Sequence, residues 1–344
     1  MPTKDPRGRL SPDKRKERRP GPPTQWGPVA GWYDQLVGEA GSEYHRHVVI
    51  PGVLRLLGLQ VPAGGDKGKL APERPAVQLA AGRSEGATPR ETILDVACGQ
   101  GVLCRILHQA GAEVTGVDAS PELLRIARQR SDPRIRYVQA DARDLSALPA
   151  DHFSAATLVL AVQNIHPLPP LFASIARCLA RHAGGERTEA VSPSRGEGIL
   201  PSRPLASPES AATETAAVRA GGTPAPRLVI VMMHPCFRGP KATAWGWDEQ
   251  AAVQYRRVDR YLVPRKEPIV THPGSDPTHY TWSFHRPLQT YVKALRNAGL
   301  LIDALEEWPS HKTSEPAAPR AAAENLARKE IPMFLALRAV KALP

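Results

Sequence analysis

The stretch Asp95-Val-Ala-Cys-Gly99-Gln-Gly101 decides the fold of this chain. The apolar run that contains Asp95 predicts a buried strand over residues 92–97, and the amphipathic run after Gly101 predicts a helix over 102–110. Gly99 and Gly101 permit a sharp turn between the two elements, and without a Cβ they let a ligand approach the backbone. A strand, a glycine-rich turn and a helix in this order are typical of a nucleotide-binding α/β unit.

Short apolar runs and helical patterns continue to alternate beyond this unit. Strands are predicted over residues 113–118, 134–141, 157–162, 227–234, 300–306 and 332–340. Helices are predicted from Pro121, with Ser120 as the N-cap, and over residues 170–181 and 288–298. Such alternation indicates a doubly wound sheet of parallel strands with helices on both faces.

Carboxylates stand at or near the ends of the first three predicted strands. Asp95 precedes the glycine turn, Asp118 ends the second strand and Asp141 ends the third. An acid after the second strand can accept both hydroxyls of a ribose, and an acid after the third can accept an adenine amino group. A dinucleotide site requires a third glycine at the position of Cys104, which disfavours a nicotinamide enzyme.

The segments DVACGQG, GVDAS and QADARDL resemble the first motifs of class I S-adenosylmethionine-dependent methyltransferases. The resemblance implies a Rossmann-like, doubly wound α/β sheet, mostly parallel with one antiparallel strand near the C-terminus. It implies S-adenosylmethionine as the cofactor and no metal. The implied cofactor contacts are Asp95, Ala97, Gly99, Gly101, Asp118, Ala119, Asp141 and Ala142.

An aromatic segment from Trp26 to Asp34 is similar to the leader of quinone-type C-methyltransferases. In that family the leader packs over the cofactor, which adds Tyr33 to the predicted cofactor contacts. The chain departs from the common pattern at Ser154, where an acid usually follows the Phe, and it lacks the usual Pro-Gly-Gly before the fifth strand. Neither departure affects the three carboxylates.

Two histidines at predicted strand ends are candidates for a general base. His166 follows the fourth strand and His234 ends the fifth, where ligands bind in open α/β sheets. Methyl transfer is an in-line displacement that alignment alone can accelerate, so a base is not required. The alternative for both histidines is that they only shape the pocket.

Residues 237–284 are rich in aromatic side chains and follow the fifth strand directly. We interpret them as a lid over the site, with an acceptor pocket formed by Trp245, Trp247, Tyr261 and His285. The alternative is a small satellite core under a long loop. Interleaved arginines and lysines could attract an acidic acceptor.

Composition gives the predicted organisation around this domain. The chain has 344 residues, a net charge of +11, 36 prolines and 27 glycines. Residues 1–24 are predicted to be a disordered basic tail and 25–342 a methyltransferase domain, with disordered insertions at about 62–90 and 183–226. Four cysteines without paired spacing and no long apolar run predict a cytoplasmic chain without a membrane span, as a monomer or weak dimer.

The sequence therefore predicts methyl transfer to a small-molecule acceptor of aromatic or acidic character. A nucleic-acid methyltransferase is the first alternative, since a basic tail can bind phosphates. Against it, Asn164-Ile-His-Pro167 lacks the aromatic residue that would stack on a flipped base. A cofactor-binding protein without catalytic activity is the second alternative.

Overall fold

The computed structural model describes residues 26–27, 29–60, 90–181, 225–272 and 276–342. The predicted basic tail and all but the edges of the two predicted insertions lie outside the described residues. The boundaries drawn for them therefore stay predictions.

Seven strands form one sheet in the order β10-β11-β5-β4-β1-β2-β3. Strand β11 runs antiparallel to both of its neighbours, and the other pairs in the sheet are parallel. This confirms the predicted doubly wound sheet with one reversed strand near the C-terminus. In chain order the strands are β1 Thr92–Val96, β2 Glu113–Asp118, β3 Arg136–Gln139, β4 Ala155–Val159, β5 Arg227–Met233, β6 Thr243–Asp248, β7 Val253–Val258, β8 Arg265–His272, β9 Asp276–His285, β10 Leu300–Trp308 and β11 Phe334–Lys341.

Helices cover both faces of the sheet, as the alternation predicts. They are α1 Ala30–Val37, α2 Ile50–Leu57 (extended at its start by a π-helical turn, His45–Val49), α3 Val102–Gln109, α4 Pro121–Arg130, α5 Leu168–Cys178, α6 Leu288–Asn297 and α7 Ala321–Glu330. Helices α5 and α6 pack on one face through residues such as Phe172 and Leu295. Helices α2, α3 and α4 pack on the other through residues such as Val53, Leu107 and Leu124.

Local sequence signals set the elements that carry the site. Ser120 caps α4, its hydroxyl accepting the Leu123 amide hydrogen at 3.2 Å, and Pro121 occupies the first helical position where no donor is needed. Just beyond β1 and β4, Ala97 and Leu160 hold φ near 56° and 55°. Non-glycine residues rarely adopt this left-handed conformation, and here it bends both chain segments at the carboxyl edge of the sheet.

Several elements differ from the sequence-based predictions. Helices α1, α2 and α7 have no predicted counterpart, and the segment predicted as a lid forms two antiparallel hairpins, β6–β7 and β8–β9. Across the described ranges, no helix has the length and apolar character needed to cross a membrane.

Candidate cofactor and acceptor site

A cavity of about 360 Å³ lies at the carboxyl ends of β1, β2 and β4. This volume falls in the range of small-molecule sites, roughly 300–1,000 Å³. Strand ends supply one wall, the aromatic leader a second, and the β8–β9 hairpin a third. The lining residues are Trp26, Tyr33, Ala97, Gly99, Val117, Asp118, Ala119, Leu123, Ala140, Asp141, Ala142, Arg143, Val159, Leu160, Ala161, Asn164, Ile165, His166, Lys266, Trp282 and Phe284.

The glycine turn forms the floor of this cavity. Gly99 holds φ +56°, and a Cβ added there would lie 3.3 Å from the Tyr33 ring. Gly101 holds φ +81° at the start of α3 but faces the protein interior, where an added Cβ would lie 2.4 Å from the Tyr137 hydroxyl oxygen. Gly99 therefore lines the cavity and lets the Tyr33 ring approach the turn, whereas Gly101, predicted as a cofactor contact, does not line the cavity and instead lets the turn pack on the core.

Asp118 lines the cavity at the end of β2, as predicted. Its Oδ2 accepts the Gly99 amide hydrogen at 2.9 Å and its Oδ1 accepts that of Ser120 at 2.8 Å. Burial raises the pKa of this carboxyl, while these backbone hydrogen bonds counteract the rise. Each oxygen keeps a further lone pair, so the carboxylate is fixed in place and can still accept hydroxyl hydrogens.

Asp95 is also predicted as a cofactor contact, and the structure places it outside the cavity. Its side chain is 2% exposed and accepts hydrogen bonds from Thr157 Oγ1 at 2.7 Å and Cys104 Sγ at 3.2 Å. Burial raises the pKa of Asp95 to about 6. The carboxyl therefore ties β1 to β4 and α3 beneath the turn, and acts by positioning the turn rather than by direct contact.

Asp141 lines the cavity beyond β3 together with its neighbour Ala142. A two-pronged ion pair with Arg143 lowers the pKa of Asp141, so the carboxyl is ionised at neutral pH. Arg143 also donates to the His166 carbonyl oxygen at 2.8 Å, which connects the third strand end to the fourth. Ala97 and Ala119 line the same cavity, in agreement with their predicted positions.

The aromatic leader closes the cavity over the glycine turn. Trp26 and Tyr33 both line it and pack edge to face, with ring centroids 5.4 Å apart. Burial, with the nearby Asp118 and Asp95 charges, raises the pKa of Tyr33, which keeps its phenol neutral. The leader is anchored by Asp34, which forms a bidentate ion pair with Arg130 at 2.6 and 2.8 Å.

His166 lines the cavity and stacks on Phe284, with centroids 5.0 Å apart. Its Nδ1 lies 3.1 Å from Arg286 Nη2, which can only donate, so Nδ1 is the acceptor and the proton of the neutral ring sits on Nε2. Burial, followed by the charges of Arg286, Arg143 and Lys266, lowers the pKa of His166. The ring therefore offers a ligand a hydrogen-bond donor, not the free lone pair that a general base needs.

His234, the second predicted base, does not line the cavity. It is 2% exposed, its Nε2 donates to Glu307 Oε1 at 2.7 Å, and its Nδ1 accepts the Cys236 amide hydrogen at 3.2 Å. The strand end is where the sequence predicts it, but the side chain turns toward β10 and away from the cavity. Both ring nitrogens are engaged, and the catalytic assignment is corrected to a structural one.

Replacing His234 by Ala is expected to lower stability and leave cofactor affinity unchanged. The variant leaves the Cys236 amide without its acceptor, which costs about 1–3 kcal/mol when such a group is buried. Thermal or denaturant unfolding measures the first effect and calorimetry the second. A loss of cofactor affinity in the folded variant would contradict the structural assignment.

The predicted acceptor pocket is corrected as well. Trp245 packs between the Arg238 and Arg256 guanidinium groups, and Trp247 packs under Arg320. Two further predicted residues contact one another outside the cavity: His285 Nε2 donates to the Tyr261 carbonyl oxygen at 2.8 Å. All four side chains pack within or against the lid segment and do not line the cavity. Their contacts agree with the alternative given above, a small satellite core under a long loop.

The lid residues that do line the cavity are Lys266, Trp282 and Phe284, all on the β8–β9 hairpin. Sequence reasoning notes the two aromatic residues within the lid but does not select them. The sequence Thr281-Trp282-Ser283-Phe284-His285 alternates aromatic with polar residues at the period of a strand. This alternation indicates that Trp282 and Phe284 share one face of that strand. Thr281, Ser283 and His285 are buried on the opposite face of β9.

Comparison with known proteins shows similarity to methyltransferases. Residues 93–182 match a family model described as a methyltransferase domain. A 2-phytyl-1,4-naphtoquinone methyltransferase from Nostoc is 35% identical over 106 residues, which is 28% of this chain and 46% of that protein. A ubiquinone biosynthesis O-methyltransferase from Xanthomonas campestris is 33% identical over 82 residues, 23% of this chain and 34% of that protein. The chain thus spans less than half the length of these curated relatives.

A solved S-adenosylmethionine-dependent methyltransferase from Mesorhizobium loti is 25% identical, with a TM-score of 0.49 over 73% of this chain and 91% of that chain. The strand order and the match over 93–182 confirm the predicted resemblance to class I S-adenosylmethionine-dependent methyltransferases. The matched family model is that of a methyltransferase domain, and the solved neighbour is described as dependent on S-adenosylmethionine.

Proposed function

We propose that this chain transfers the methyl group of S-adenosylmethionine to a small-molecule acceptor. The proposal rests on one observation: a single cavity has carboxylates on one wall and aromatic and basic side chains on another. Strand ends with the Asp118 and Asp141 carboxylates form the cofactor wall, and His166, Lys266, Trp282 and Phe284 form the acceptor wall. The names of the quinone-directed relatives support a small cyclic acceptor.

The residues present fit the cofactor. Asp118 is fixed by two backbone hydrogen bonds and can accept the ribose hydroxyls, Asp141 can accept from the adenine amino group, and Gly99 leaves room beside Tyr33. When bound, S-adenosylmethionine supplies an electrophilic methyl group on a sulfonium. The remaining task of the protein is to orient the acceptor and exclude water, and the leader and the β8–β9 hairpin, which both line the cavity, are the segments placed to do so.

Since the proton of neutral His166 sits on Nε2, we propose that this side chain orients the acceptor through a hydrogen bond. Replacing His166 by Gln, which keeps an N–H donor, is expected to raise the acceptor KM and to change kcat by less than about tenfold. Loss of a general base would instead lower kcat by about 10²–10⁴-fold. Steady-state kinetics across pH 5.5–8.5, roughly the range over which His titrates, separate the two roles.

Two measurements test the function. Calorimetry with S-adenosylmethionine tests the cofactor site, and transfer of a labelled methyl group to a panel of phenols, quinones and carboxylates tests turnover. Cofactor binding without transfer to any small molecule, together with labelling of RNA or DNA, would favour the nucleic-acid alternative. Cofactor binding without transfer to either would favour a regulatory protein.

A further inference from the structure

The acceptor wall combines flat aromatic surfaces with a positive charge. Strand β9 alternates, so Trp282 and Phe284 line the cavity while Thr281 and Ser283 are buried behind them. The His166 ring stacks on Phe284 at an interplanar angle of 19°. Planar side chains stacked in this way present a surface suited to a flat ring.

Lys266 brings the charge to this wall. In the β8–β9 register it lies opposite Phe284, and its Nζ lies 3.9 Å from the Trp282 ring centroid and 6.0 Å from that of Phe284. This contact holds the ammonium group at the cavity by a cation–π interaction. The side chain is thus positioned by aromatic rings that themselves line the site.

Three cations of the lid are paired with carboxylates, whereas Lys266 has no such pair within the described residues. Lys241 and Arg265 share Glu267 at 3.4 and 3.6 Å, and Arg257 pairs with Asp259 at 2.8 Å. No ion pair joins Lys266 to a carboxylate in the described part of the chain. The ammonium group can therefore form an ion pair with an anionic group of a ligand.

The carboxylates of the cavity do not offset this charge. Asp118 is bound by two backbone amides at the end of β2, and Asp141 is neutralised by Arg143. Arg286, behind His166, adds a second positive group on the lid side. Lys266 therefore brings a positive charge to the hairpin side of the cavity that no carboxylate there balances within the described residues.

We propose that the methyl acceptor is a planar aromatic anion that packs beside Trp282 and the His166–Phe284 pair, with its negative group at Lys266. This inference rests on the proposed function and specifies its acceptor. If the anionic oxygen itself is the nucleophile, its bond to the methyl carbon would form as the C–S bond of the sulfonium breaks, S-adenosylhomocysteine would leave, and no proton would have to be removed; this accords with a cavity in which His166 has no free lone pair. The negative group is a carboxylate on the ring.

The test compares matched ligands that differ in charge and little in shape. Benzoate, 4-hydroxybenzoate and 2-naphthoate are each titrated against the corresponding neutral amide, with S-adenosylhomocysteine present to fill the cofactor site. We expect at least one carboxylate to bind about tenfold or more tightly than its amide, because a hydrogen bond to a charged group is worth about 1.5 kcal/mol or more. The preference should decrease with salt.

Variants assign the preference to Lys266. Lys266→Met should remove the difference between carboxylate and amide, Lys266→Arg should retain most of it, and Lys293→Met should leave it unchanged as an exposed charge on α6 outside the cavity. Equal binding of every carboxylate and its amide, including no binding by either, would overturn the proposal. So would an unchanged preference in Lys266→Met. S-adenosylhomocysteine affinity is measured separately, and its absence would contradict the proposed function instead.

Discussion

Asp118→Ala is expected to weaken S-adenosylmethionine binding by about 10- to 150-fold. A charge-assisted hydrogen bond contributes about 1.5–3 kcal/mol, and the variant removes the acceptor predicted for the ribose hydroxyls. It also releases the Gly99 and Ser120 amide hydrogens that hold the turn. Both effects act on the cofactor wall, so calorimetric affinity is the appropriate measurement.

Glu113→Ala is the matched control for this variant. Glu113 begins the same strand, β2, that Asp118 ends, and it is exposed. Its removal takes away one carboxylate at the opposite edge of the sheet and should leave cofactor affinity unchanged. Affinity of the Asp118→Ala protein equal to that of the wild type, in a variant shown to be folded by its melting transition, would refute the ribose assignment.

Gly101→Ala is expected to destabilise the fold by about 2–5 kcal/mol. An added Cβ would lie 2.4 Å from the Tyr137 hydroxyl oxygen and 3.2 Å from Ala127 Cβ. Overpacking of this kind costs about 1–3 kcal/mol, and a side chain in the left-handed region costs about 1–2 kcal/mol more. Chemical denaturation measures the loss.

Two further variants separate the causes. Gly111 holds φ +94° with nothing within 4 Å of an added Cβ, so Gly111→Ala should show the conformational cost alone, about 1 kcal/mol. Adding Tyr137→Phe to Gly101→Ala removes the closest atom and should recover part of the loss. If the two glycine variants are equally stable, the packing role given to Gly101 is wrong.

Local signals made the strand-end half of the site predictable. The Ser120 cap, the glycine turn and the strand-end carboxylates depend on neighbours close in sequence. Asp118, Asp141 and Tyr33 line one cavity, and their role as cofactor contacts stays a prediction. Asp95 was the exception, since only the packing of β4 and α3 against β1 shows that its carboxyl is enclosed.

The acceptor half depended on long-range packing. His234 ends its strand as predicted, yet its side-chain direction follows from where Glu307 on β10 lies. Within the lid, composition indicated an aromatic wall but could not show which hairpin reaches the cavity. The Asn164 side chain donates to the Trp282 carbonyl oxygen at 2.8 Å, a contact between residues far apart in sequence that brings β9 to the site.

The placement of the acceptor wall has an evolutionary consequence. Lys266, Trp282 and Phe284 all belong to one hairpin inserted between β5 and α6, whereas the cofactor wall is built from β1 to β4 and the leader. On the proposed function, selection could remodel the hairpin and change three of the four acceptor-wall residues while leaving His166 and the strand-end carboxylates in place. Grafting residues 265–285 between related chains would transfer acceptor preference and leave the donor requirement as it was.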